Sequence, residues 1–425
     1  MEEHVKEKNQ YLVIDLKSFY ASVECVERGL DPMSTRLIVA DPTRTEKTIC
    51  LAASPGIKAL GVPNRCRVYE IPKNIEYIMA PPRMRLYLDY SGRIYNIYLK
   101  YIAPEDIHVY SVDEAFLDVT HYLKMYRKTA RELAIDILDD IRNSLGLYAT
   151  CGIGTNMYLA KIALDIMAKH AADFIAELDE ESYKKTLWEH LPLTDFWMIG
   201  KGTVNRLARV GIHTMKDIAM ADEHLLFRLF GVNGEIIMDH AWGIEPTTIE
   251  DIKKYKTKST SISSGQVLPK DYNYTDCRLI VKEMCDLLCL ELVKKRKITD
   301  SISLYLGASG QSERQAGLHG SEKISVTTNS NRVLQEAVIR LFDRVADKNA
   351  YYRRVNISFN DLKNEEFEQF DIFTDPKELC RDRNIQRAAI SIKDKYGKNA
   401  ILKGMNLQEA GTTIERNGQI GGHRS

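Results

Sequence analysis

Three acidic residues with apolar neighbours constrain how this chain can fold. Asp15 follows the apolar run at 11–14, which is typical of a buried strand. Asp113 and Glu114 join two further strand-like segments between 107 and 119, His-Val-Tyr-Ser-Val and Ala-Phe-Leu-Asp-Val. An ionised carboxylate inside an apolar sheet is costly unless something neutralises it. The sequence therefore predicts a sheet whose acidic positions have a neutralising partner.

Adjacent residues on an ideal strand face opposite ways, so Asp113 and Glu114 can serve one site only if the backbone turns or bulges at Asp113. Carboxylates suit hard cations such as Mg²⁺, and two ions about 4 Å apart can activate an attacking oxygen and hold the leaving one. Alternatively, Asp15 caps the following helix and Asp113 and Glu114 form a solvated turn. Spacing alone leaves both interpretations open, because short motifs often match by chance.

Strands and helices are mixed along the first 172 residues, and their order predicts an α+β domain with helices on one face of a sheet. The predicted elements of this part are 11–15, 18–28, 36–40, 47–52, 54–61, 82–102, 107–119, 129–144, 149–153 and 156–169. From 173 to 245 the pattern is all helical, and 246–257 has the composition of a charged linker. Residues 258–361 are predicted to form a second α+β unit, followed by a loosely ordered polar tail.

The charge of the chain bears on its partners. Lysine plus arginine and aspartate plus glutamate each number 59, so the net charge is zero, which argues mildly against nucleic-acid binding. The basic residues nevertheless cluster at 253–258 and 294–297, which favours phosphate contact. The alternative for each cluster is a solvated linker or helix end.

Other features limit the location and the chemistry. The sequence has no run of 18 apolar residues, so no membrane span is expected. Its polar start lacks the apolar stretch of a signal peptide, which predicts a cytoplasmic protein. None of the eight cysteines forms a Cys-x-x-Cys pair, so neither a zinc finger nor a redox motif is predicted.

Three motifs resemble those of one enzyme family. They are Val-Ile-Asp-Leu-Lys-Ser-Phe-Tyr-Ala-Ser-Val-Glu (13–24), Ser-Val-Asp-Glu-Ala-Phe-Leu-Asp (111–118) and Gly-Ile-Gly-Thr-Asn-Met-Tyr-Leu-Ala-Lys-Ile-Ala (152–163). In order and spacing they are similar to the motifs of Y-family DNA polymerases. The strings at 57–62 and 415–423 resemble the UmuC-like branch, the catalytic subunits of DNA polymerase V.

The resemblance implies a multidomain α+β right-hand polymerase. It places a palm at 1–20 and 86–172, small fingers at 21–85, a helical thumb at 173–245, a linker at 246–257, a separate α+β little finger at 258–361 and a tail at 362–425. The implied function is low-fidelity translesion synthesis in DNA damage tolerance and SOS mutagenesis. The alternatives are a catalytically silent DNA-binding scaffold at stalled forks and a nucleotide cyclase.

The resemblance also assigns site residues. It implies that two Mg²⁺ ions are held by Asp15, Asp113 and Glu114, which are the catalytic residues, and by the Leu16 carbonyl. The positions that it assigns to the incoming dNTP are Phe19, Tyr20, Lys58 and Lys169. Tyr20 matches the steric gate that excludes a 2′-hydroxyl by clash. Without the motif, Tyr20 is a core aromatic and the two lysines are exposed side chains near helix ends.

Two departures from the family pattern concern metal and nucleotide binding. Lys17 stands where many members have a second acid, so this position cannot be a ligand; the UmuC-like branch also lacks that acid. Many relatives place a tyrosine and an arginine over the triphosphate, whereas the matching stretch here is Ser-Pro-Gly-Ile-Lys at 54–58. The details of triphosphate binding therefore differ from those of many relatives.

Primer-template DNA is the implied macromolecular substrate. Gly200, Lys201 and Gly202 precede a helical stretch and resemble a helix–hairpin–helix, in which glycines and free amides approach a phosphate. A plain turn between helices is the alternative. In the little-finger region, Lys294, Lys295 and Arg296 are predicted to contact the DNA backbone without reading sequence.

The tail contains a candidate docking peptide. Gln369, Phe370, Ile372 and Phe373 are similar to the short peptide by which bacterial polymerases hold the sliding clamp. The alternative is a last strand that packs on the little finger. In the UmuC-like branch, a UmuD-like accessory subunit and a recombinase filament are further candidate partners.

Overall fold

The computed structural model describes residues 9–43, 45–257, 260–309, 317–366 and 376–424. The chain divides between Tyr255 and Lys256 into two compact units. The candidate clamp peptide, Gln369 to Phe373, lies outside the described residues.

The first unit is built on a five-stranded sheet. Its strands are β1 (Tyr11–Leu16), β2 (Leu37–Val39), β3 (Ala52–Ala53), β4 (Ile78–Ala80), β5 (Ile107–Val109), β6 (Glu114–Asp118), β7 (Ala149–Gly154) and β8 (Ile175–Leu178). The main sheet has the order β5-β6-β1-β7-β8, with β1 antiparallel to both neighbours and β7 parallel to β8. Because β1 is central and buried on both faces, its sequence is a continuous apolar run rather than an alternating one.

Twelve α-helices lie in the described part of this unit. They are α1 (Phe19–Val26), α2 (Pro55–Lys58), α3 (Met84–Tyr98), α4 (Thr120–Tyr126), α5 (Ala130–Leu145), α6 (Met157–Ile162), α7 (Glu180–Leu187), α8 (Lys201–Ala208), α9 (Met215–Ala219), α10 (Glu223–Phe230), α11 (Asn233–Trp242) and α12 (Ile249–Lys254). Helix α5 shows why such segments are helical: Thr129 and Glu132 form a capping box at its start, and Gly146 ends it in the left-handed conformation.

Helix α6 packs unusually close to β7. It continues through a π-helical turn at Ala163–Met167 and a short 3-10 helix at Ala168–His170. A Cβ atom on Gly154 would lie 2.2 Å from the backbone nitrogen of Ala160, so only glycine fits this strand position.

The small sheet β3-β2-β4 lies in the segment predicted as fingers. Strand β2 pairs antiparallel with β3 and parallel with β4. Its core is small and includes Ile38, Ala53 and Ile57.

Two sequence predictions for this unit were wrong. The segment from 173 is not all helical, because β8 extends the main sheet through its parallel pairing with β7. The segment 246–257 is not a plain linker, because Thr248 and Asp251 cap helix α12 and its first residue, Ile249, is buried in the core.

The second unit is built on a five-stranded antiparallel sheet covered by helices. Its strands are β9 (Ile262–Tyr272), β10 (Lys297–Ala308), β11 (Leu318–Thr328), β12 (Tyr352–Asn360), β13 (Lys363–Asn364), β14 (Gln419–Ile420) and β15 (His423–Arg424), and its helices are α13 (Tyr274–Lys294), α14 (Asn331–Val345), α15 (Pro376–Tyr396) and α16 (Thr413–Asn417). The sheet order is β11-β10-β12-β9, with β13 paired antiparallel to β10, and β14 pairs separately with β15. Residues of α13 and α14 share a core with one face of the sheet.

The prediction of a loosely ordered tail was also wrong for 376–424. Helix α15 occupies 21 residues of it. After that helix, Asn406 Nδ2 and the Thr412 backbone N–H each donate a 2.8 Å hydrogen bond to the buried Glu283 carboxylate of α13. A buried carboxylate needs such donors, which explains why a polar segment is ordered here.

In the parts of the chain that the structure describes, no helix combines the length and the apolar composition needed to cross a membrane.

Candidate active site

Strand pairing brings two of the three predicted acids side by side. Asp15 on β1 is the direct cross-strand partner of Glu114 on β6. Asp113 precedes the ladder in the turn that joins β5 to β6, and its carbonyl accepts a 3.0 Å hydrogen bond from the Leu16 backbone N–H. The backbone therefore turns at Asp113, as predicted. This turn allows the adjacent side chains of Asp113 and Glu114 to face the same site.

The carboxylates affect one another electrostatically. Burial raises the pKa of Asp15 to about 6; Lys169 opposes this rise, while Asp113 and Glu114 add to it. Burial likewise raises the pKa of Glu114, against the opposing charge of Lys161. Acids that perturb one another in a partly desolvated cluster are typical of functional sites.

Two lysines and a fourth acid complete the cluster. Lys161 Nζ lies 2.7 Å from Glu114 Oε1 and 3.0 Å from Asp165 Oδ2, and the Lys161 and Glu114 side chains are only 8% and 10% exposed. Lys169 Nζ lies 2.8 Å from Asp165 Oδ1 and 3.6 Å from Asp15 Oδ2. The π-helical turn in which Asp165 lies is a kind of irregularity that is common at functional sites.

Lys161 and Asp165 were not assigned a role from the sequence. Lys161 lies inside the third motif, and the four-residue spacing from Lys161 to Asp165 and on to Lys169 is the signal that could have grouped them on one helix face. That spacing does not reveal which strand the face meets.

The donor set suits a hard cation, but the side chains as described are not arranged around one. Among the described residues, no three acidic, histidine or cysteine side chains lie at the spacing of metal ligands. Lys161 and Lys169 instead neutralise Glu114 and Asp15. The acids supply only oxygen donors, which magnesium-like ions prefer, so the chemistry of the residues fits such ions.

Tyr20 and Phe19 open helix α1 next to the carboxylates. Phe19 is buried in the core, so any contact it makes with a nucleotide would use its backbone. Tyr20 is half-buried, and its ring stacks on Tyr87 with 4.5 Å between centroids. Burial raises the pKa of Tyr20, and the charge of Asp113 adds to the rise, so the hydroxyl is near the acidic cluster.

Lys58 lies beside the acidic cluster, and Lys17, which also senses the charge of Asp15, packs on an aromatic ring. Lys58 Nζ donates a 2.8 Å hydrogen bond to Ser18 Oγ. Burial lowers the pKa of Lys58, against the opposing charge of Asp15. The Lys17 ammonium lies 4.0 Å from the centroid of the Phe174 ring, a cation–π contact. Cations at Lys58 and Lys169 therefore border the acidic cluster.

The predicted helix of the glycine-rich segment begins earlier than expected, so that Lys201 and Gly202 lie in its first turn rather than before it. Gly200 caps α8, and after Gly211 the chain continues into α9. No atom lies within 4 Å of a Cβ built on Gly200 or Gly202, so packing does not require glycine at these positions. Lys201 is exposed. The segment is therefore accessible to a DNA phosphate that approaches from solvent, as the prediction requires.

The predicted basic residues of the second unit have intramolecular partners. Lys294 Nζ lies 2.9 Å from Asp394 Oδ1, and Lys295 Nζ lies 2.7 Å from Glu291 Oε1. Both lysines are more than half exposed, so these ion pairs are weak and a phosphate can replace them. Arg296 follows in the left-handed backbone conformation, with φ of 52°.

Comparison with known proteins decides the family. The impB/mucB/samB family model matches residues 14–165, and the model of that family's C-terminal domain matches residues 259–372. Over 424 residues the chain is 31% identical to DNA polymerase IV 2 of Bacillus subtilis (strain 168), and 99% of each chain is covered. The chain is a Y-family DNA polymerase of the UmuC-like kind.

Other relatives agree. A protein of the same Bacillus strain named for UV-damage repair, UvrX, is 30% identical over 420 residues, with 98% of each chain covered. DNA polymerase IV 2 of Halalkalibacterium halodurans is 29% identical, with 97% of this chain and 98% of the relative covered.

A solved Y-family DNA polymerase chimera has the same fold. It superimposes with a TM-score of 0.63 at 20% identity, covering 83% of this chain and 99% of the chimera. The predicted α+β polymerase fold with a separate C-terminal domain is therefore confirmed, as is the prediction of a DNA-directed DNA polymerase. A nucleic-acid template, a primer and a dNTP are the substrates that membership of the family implies.

Proposed function

We propose that this polymerase performs low-fidelity translesion synthesis by two-metal nucleotidyl transfer at Asp15, Asp113 and Glu114. The observation that supports the proposal is the direct pairing of Asp15 with Glu114 beside the turn that carries Asp113. The carboxylates of this oxygen-only set, with the Leu16 carbonyl, would hold two Mg²⁺ ions.

The reaction is the attack of a primer 3′-hydroxyl on the α-phosphate of a dNTP, with release of pyrophosphate. Two bound Mg²⁺ ions supply Lewis acidity for the attacking oxygen and for the triphosphate. Lys58 and Lys169 attract the triphosphate and offset the negative charge that develops on it. Lys161 holds the Glu114 and Asp165 carboxylates in place through its two ion pairs.

Tyr20 selects the sugar. In the proposed site its ring lies under the incoming sugar and leaves no room for a 2′-hydroxyl, so ribonucleotides are rejected by clash. Its position at the start of α1, within the electrostatic range of Asp113, supports this role.

Lesion tolerance follows from a small fingers region. The sheet β3-β2-β4 has strands of two or three residues, and α2 has only four. Few side chains are then available to test the shape of a base pair, and selection depends on pairing and stacking. Such an enzyme suits DNA damage tolerance and SOS mutagenesis. The scaffold alternative is less well supported, because all three carboxylates are present.

Contacts with the DNA backbone would come from both units. The backbone amides of Gly200, Lys201 and Gly202 and the Lys201 side chain are suited to bind a phosphate, and so are Lys294, Lys295 and Arg296. These contacts would set position without reading sequence.

The sliding clamp is the proposed partner for processivity, and its ligand is Gln369, Phe370, Ile372 and Phe373. Replacing both Phe370 and Phe373 by alanine should weaken retention of the protein on immobilised clamp. Unchanged retention would refute this part of the proposal. A UmuD-like subunit and a recombinase filament remain further proposed partners.

The decisive test of the function is extension of a primer across a single abasic site by the purified protein alone, beside an undamaged template. We expect products longer than the lesion position. Extension that proceeds on the undamaged template but stops before the abasic site would contradict autonomous lesion bypass.

A further inference from the structure

The ring of Tyr20 lies flat on a second ring that no part of the proposed chemistry uses. The Tyr20 and Tyr87 centroids are 4.5 Å apart with an interplanar angle of 15°. Tyr87 is fully buried, whereas Tyr20 is half-buried. A clash excludes a 2′-hydroxyl only if the blocking ring cannot move away, so the surface behind Tyr20 contributes to selection.

Tyr87 is itself fixed by a buried carboxylate. Its hydroxyl donates a 2.8 Å hydrogen bond to Glu24 Oε1, and Glu24 is completely buried. Arg83 donates to both oxygens of Glu24, from Nε at 2.9 Å and from Nη2 at 2.8 Å, and Arg28 donates to Oε2 as well. Bidentate, charge-assisted hydrogen bonds fix orientation strongly, so the Tyr87 ring has little freedom to tilt.

Helix periodicity places these groups in two matching pairs. Tyr20 and Glu24 are four residues apart on α1, so both face the same direction. Arg83 and Tyr87 are also four residues apart, at the start of α3, and the Tyr87 N–H donates to the Arg83 carbonyl at 3.2 Å. Across the two helices, Tyr20 stacks on Tyr87 and Glu24 pairs with Arg83. These two contacts fix the Tyr20 end of α1 against α3.

We infer that Tyr87 is a positioning residue for sugar selection, which holds the Tyr20 ring in the plane that blocks a 2′-hydroxyl. This inference rests on the proposed gate role of Tyr20. Tyr87 does not contact the nucleotide, and its loss acts through Tyr20 alone. Replacing Tyr87 therefore weakens discrimination between ribonucleotides and deoxynucleotides without removing dNTP incorporation.

The test is single-nucleotide insertion with matched ribo- and deoxynucleotides, read as the ratio of kcat/KM values. We compare Tyr87→Leu, Tyr20→Ala and the double variant with the wild type. Tyr90→Leu is the matched control, because Tyr90 is buried on the same helix and its hydroxyl donates at 2.8 Å to Glu27, the residue that follows α1, but its ring does not stack on Tyr20. Thermal unfolding of each variant measures any loss of stability separately.

We expect Tyr87→Leu to raise relative ribonucleotide use by up to about tenfold, the factor that corresponds to the loss of one aromatic pair. Tyr20→Ala should raise it further, Tyr90→Leu should leave the ratio unchanged, and the double variant should match Tyr20→Ala because the two residues act as a unit. Tyr87→Phe keeps the stacked ring but loses the hydrogen bond to Glu24, so its ratio should lie between those of the wild type and Tyr87→Leu.

Each contrary result has a separate meaning. If Tyr20→Ala raises the ratio but Tyr87→Leu changes it no more than Tyr90→Leu does, the gate stands and the inference about Tyr87 is wrong. If Tyr20→Ala leaves the ratio unchanged, the gate and the inference both fail. Should Tyr87→Leu not fold, Tyr87→Met fills the space with a flexible chain and carries the same expectation.

Discussion

Asp15 retains a proton more readily than an ordinary aspartate, because burial destabilises its ionised form. Lys169 only partly offsets this effect, and Asp113 and Glu114 add to it. The acid thus lies in the protein at an energetic cost that a bound cation would remove. This cost is characteristic of a functional position rather than of a position selected for stability.

A pH-dependent stability follows from Asp15. Its pKa is about 6 in the folded protein and 3.8 ordinarily, so between these values the folded state keeps a proton that the unfolded state releases. The contribution of protonated Asp15 to the free energy of unfolding is fully present below pH 4 and is lost as pH rises through 6. Without divalent cations, Asp15→Asn should therefore gain stability relative to wild type as pH rises from 4 to 7, by at most about 3 kcal/mol.

The measurement is the free energy of unfolding in urea at several pH values, for both proteins. Using the difference between them removes the contribution of groups that titrate alike in both. A difference that stays constant from pH 4 to 7 would show that Asp15 is not perturbed.

At the scale of elements, the approach of α6 to β7 positions the lysines of the site. Gly152 and Gly154 allow this approach, since a Cβ on Gly152 would lie 2.0 Å from the Ala160 carbonyl oxygen. Helix α6 carries Lys161, and the π-helical turn that follows carries Asp165. The glycines of the third motif therefore allow the close packing of α6 on β7, and this packing in turn positions Lys161 and Asp165 at the site.

Gly154→Ala should destabilise the protein by about 1–3 kcal/mol, because the added methyl forces the helix away from the strand. The same change at Gly92, in the exposed middle of α3 with no atom within 4 Å of the new Cβ, should be neutral or stabilising by up to about 1 kcal/mol. Urea unfolding measures both. Equal stability of the two variants would contradict the close packing of α6 on β7.

The elements that the sequence predicted well have local signals. The apolar run of β1, the capping box of α5 and the turn at Asp113 need only neighbouring residues to be recognised. The three acids were predicted as candidates for a similar reason, since Asp15 follows the apolar run of β1 and Asp113 and Glu114 lie where one strand-like segment turns into the next.

The elements that were missed depend on distant partners. Strand β8 has four residues and pairs parallel with β7, so no hairpin turn marks it. Helix α15 is polar, and its described contacts include ion pairs with Lys294 and Arg332, which are remote in sequence. The role of Lys161 could not be predicted because strand register determines that its ammonium meets Glu114.

At the scale of the whole molecule, each unit has its own core and its own buried charges. In the second unit the segment after α15 completes the surroundings of Glu283. The chain has no net charge, so DNA binding depends on where lysines and arginines lie rather than on their number.

The segment after α15 should contribute to the stability of the second unit. Asn406→Ala removes a donor from the buried Glu283 carboxylate and should cost about 1.5–3 kcal/mol. Asn417→Ala is the control, because within the described part of the chain Asn417 Nδ2 bonds only to the exposed residues Lys398 and Asn399. The measurement is urea unfolding of the full chain. Equal losses in the free energy of unfolding for the two variants would contradict a specific role for Asn406.

Asp15, Asp113 and Glu114 are the proposed catalytic residues of this polymerase. Primer extension on undamaged template with Mg²⁺, using Asp113→Asn beside Asp118→Asn, measures their role in catalysis. Asp118 lies on the same strand as Glu114 but at its opposite end, where it accepts a hydrogen bond from the Thr120 N–H at 3.0 Å. We expect Asp113→Asn to slow extension by at least about a hundredfold and Asp118→Asn to retain most of the activity. Extension by Asp113→Asn at the wild-type rate would contradict the assignment of the site.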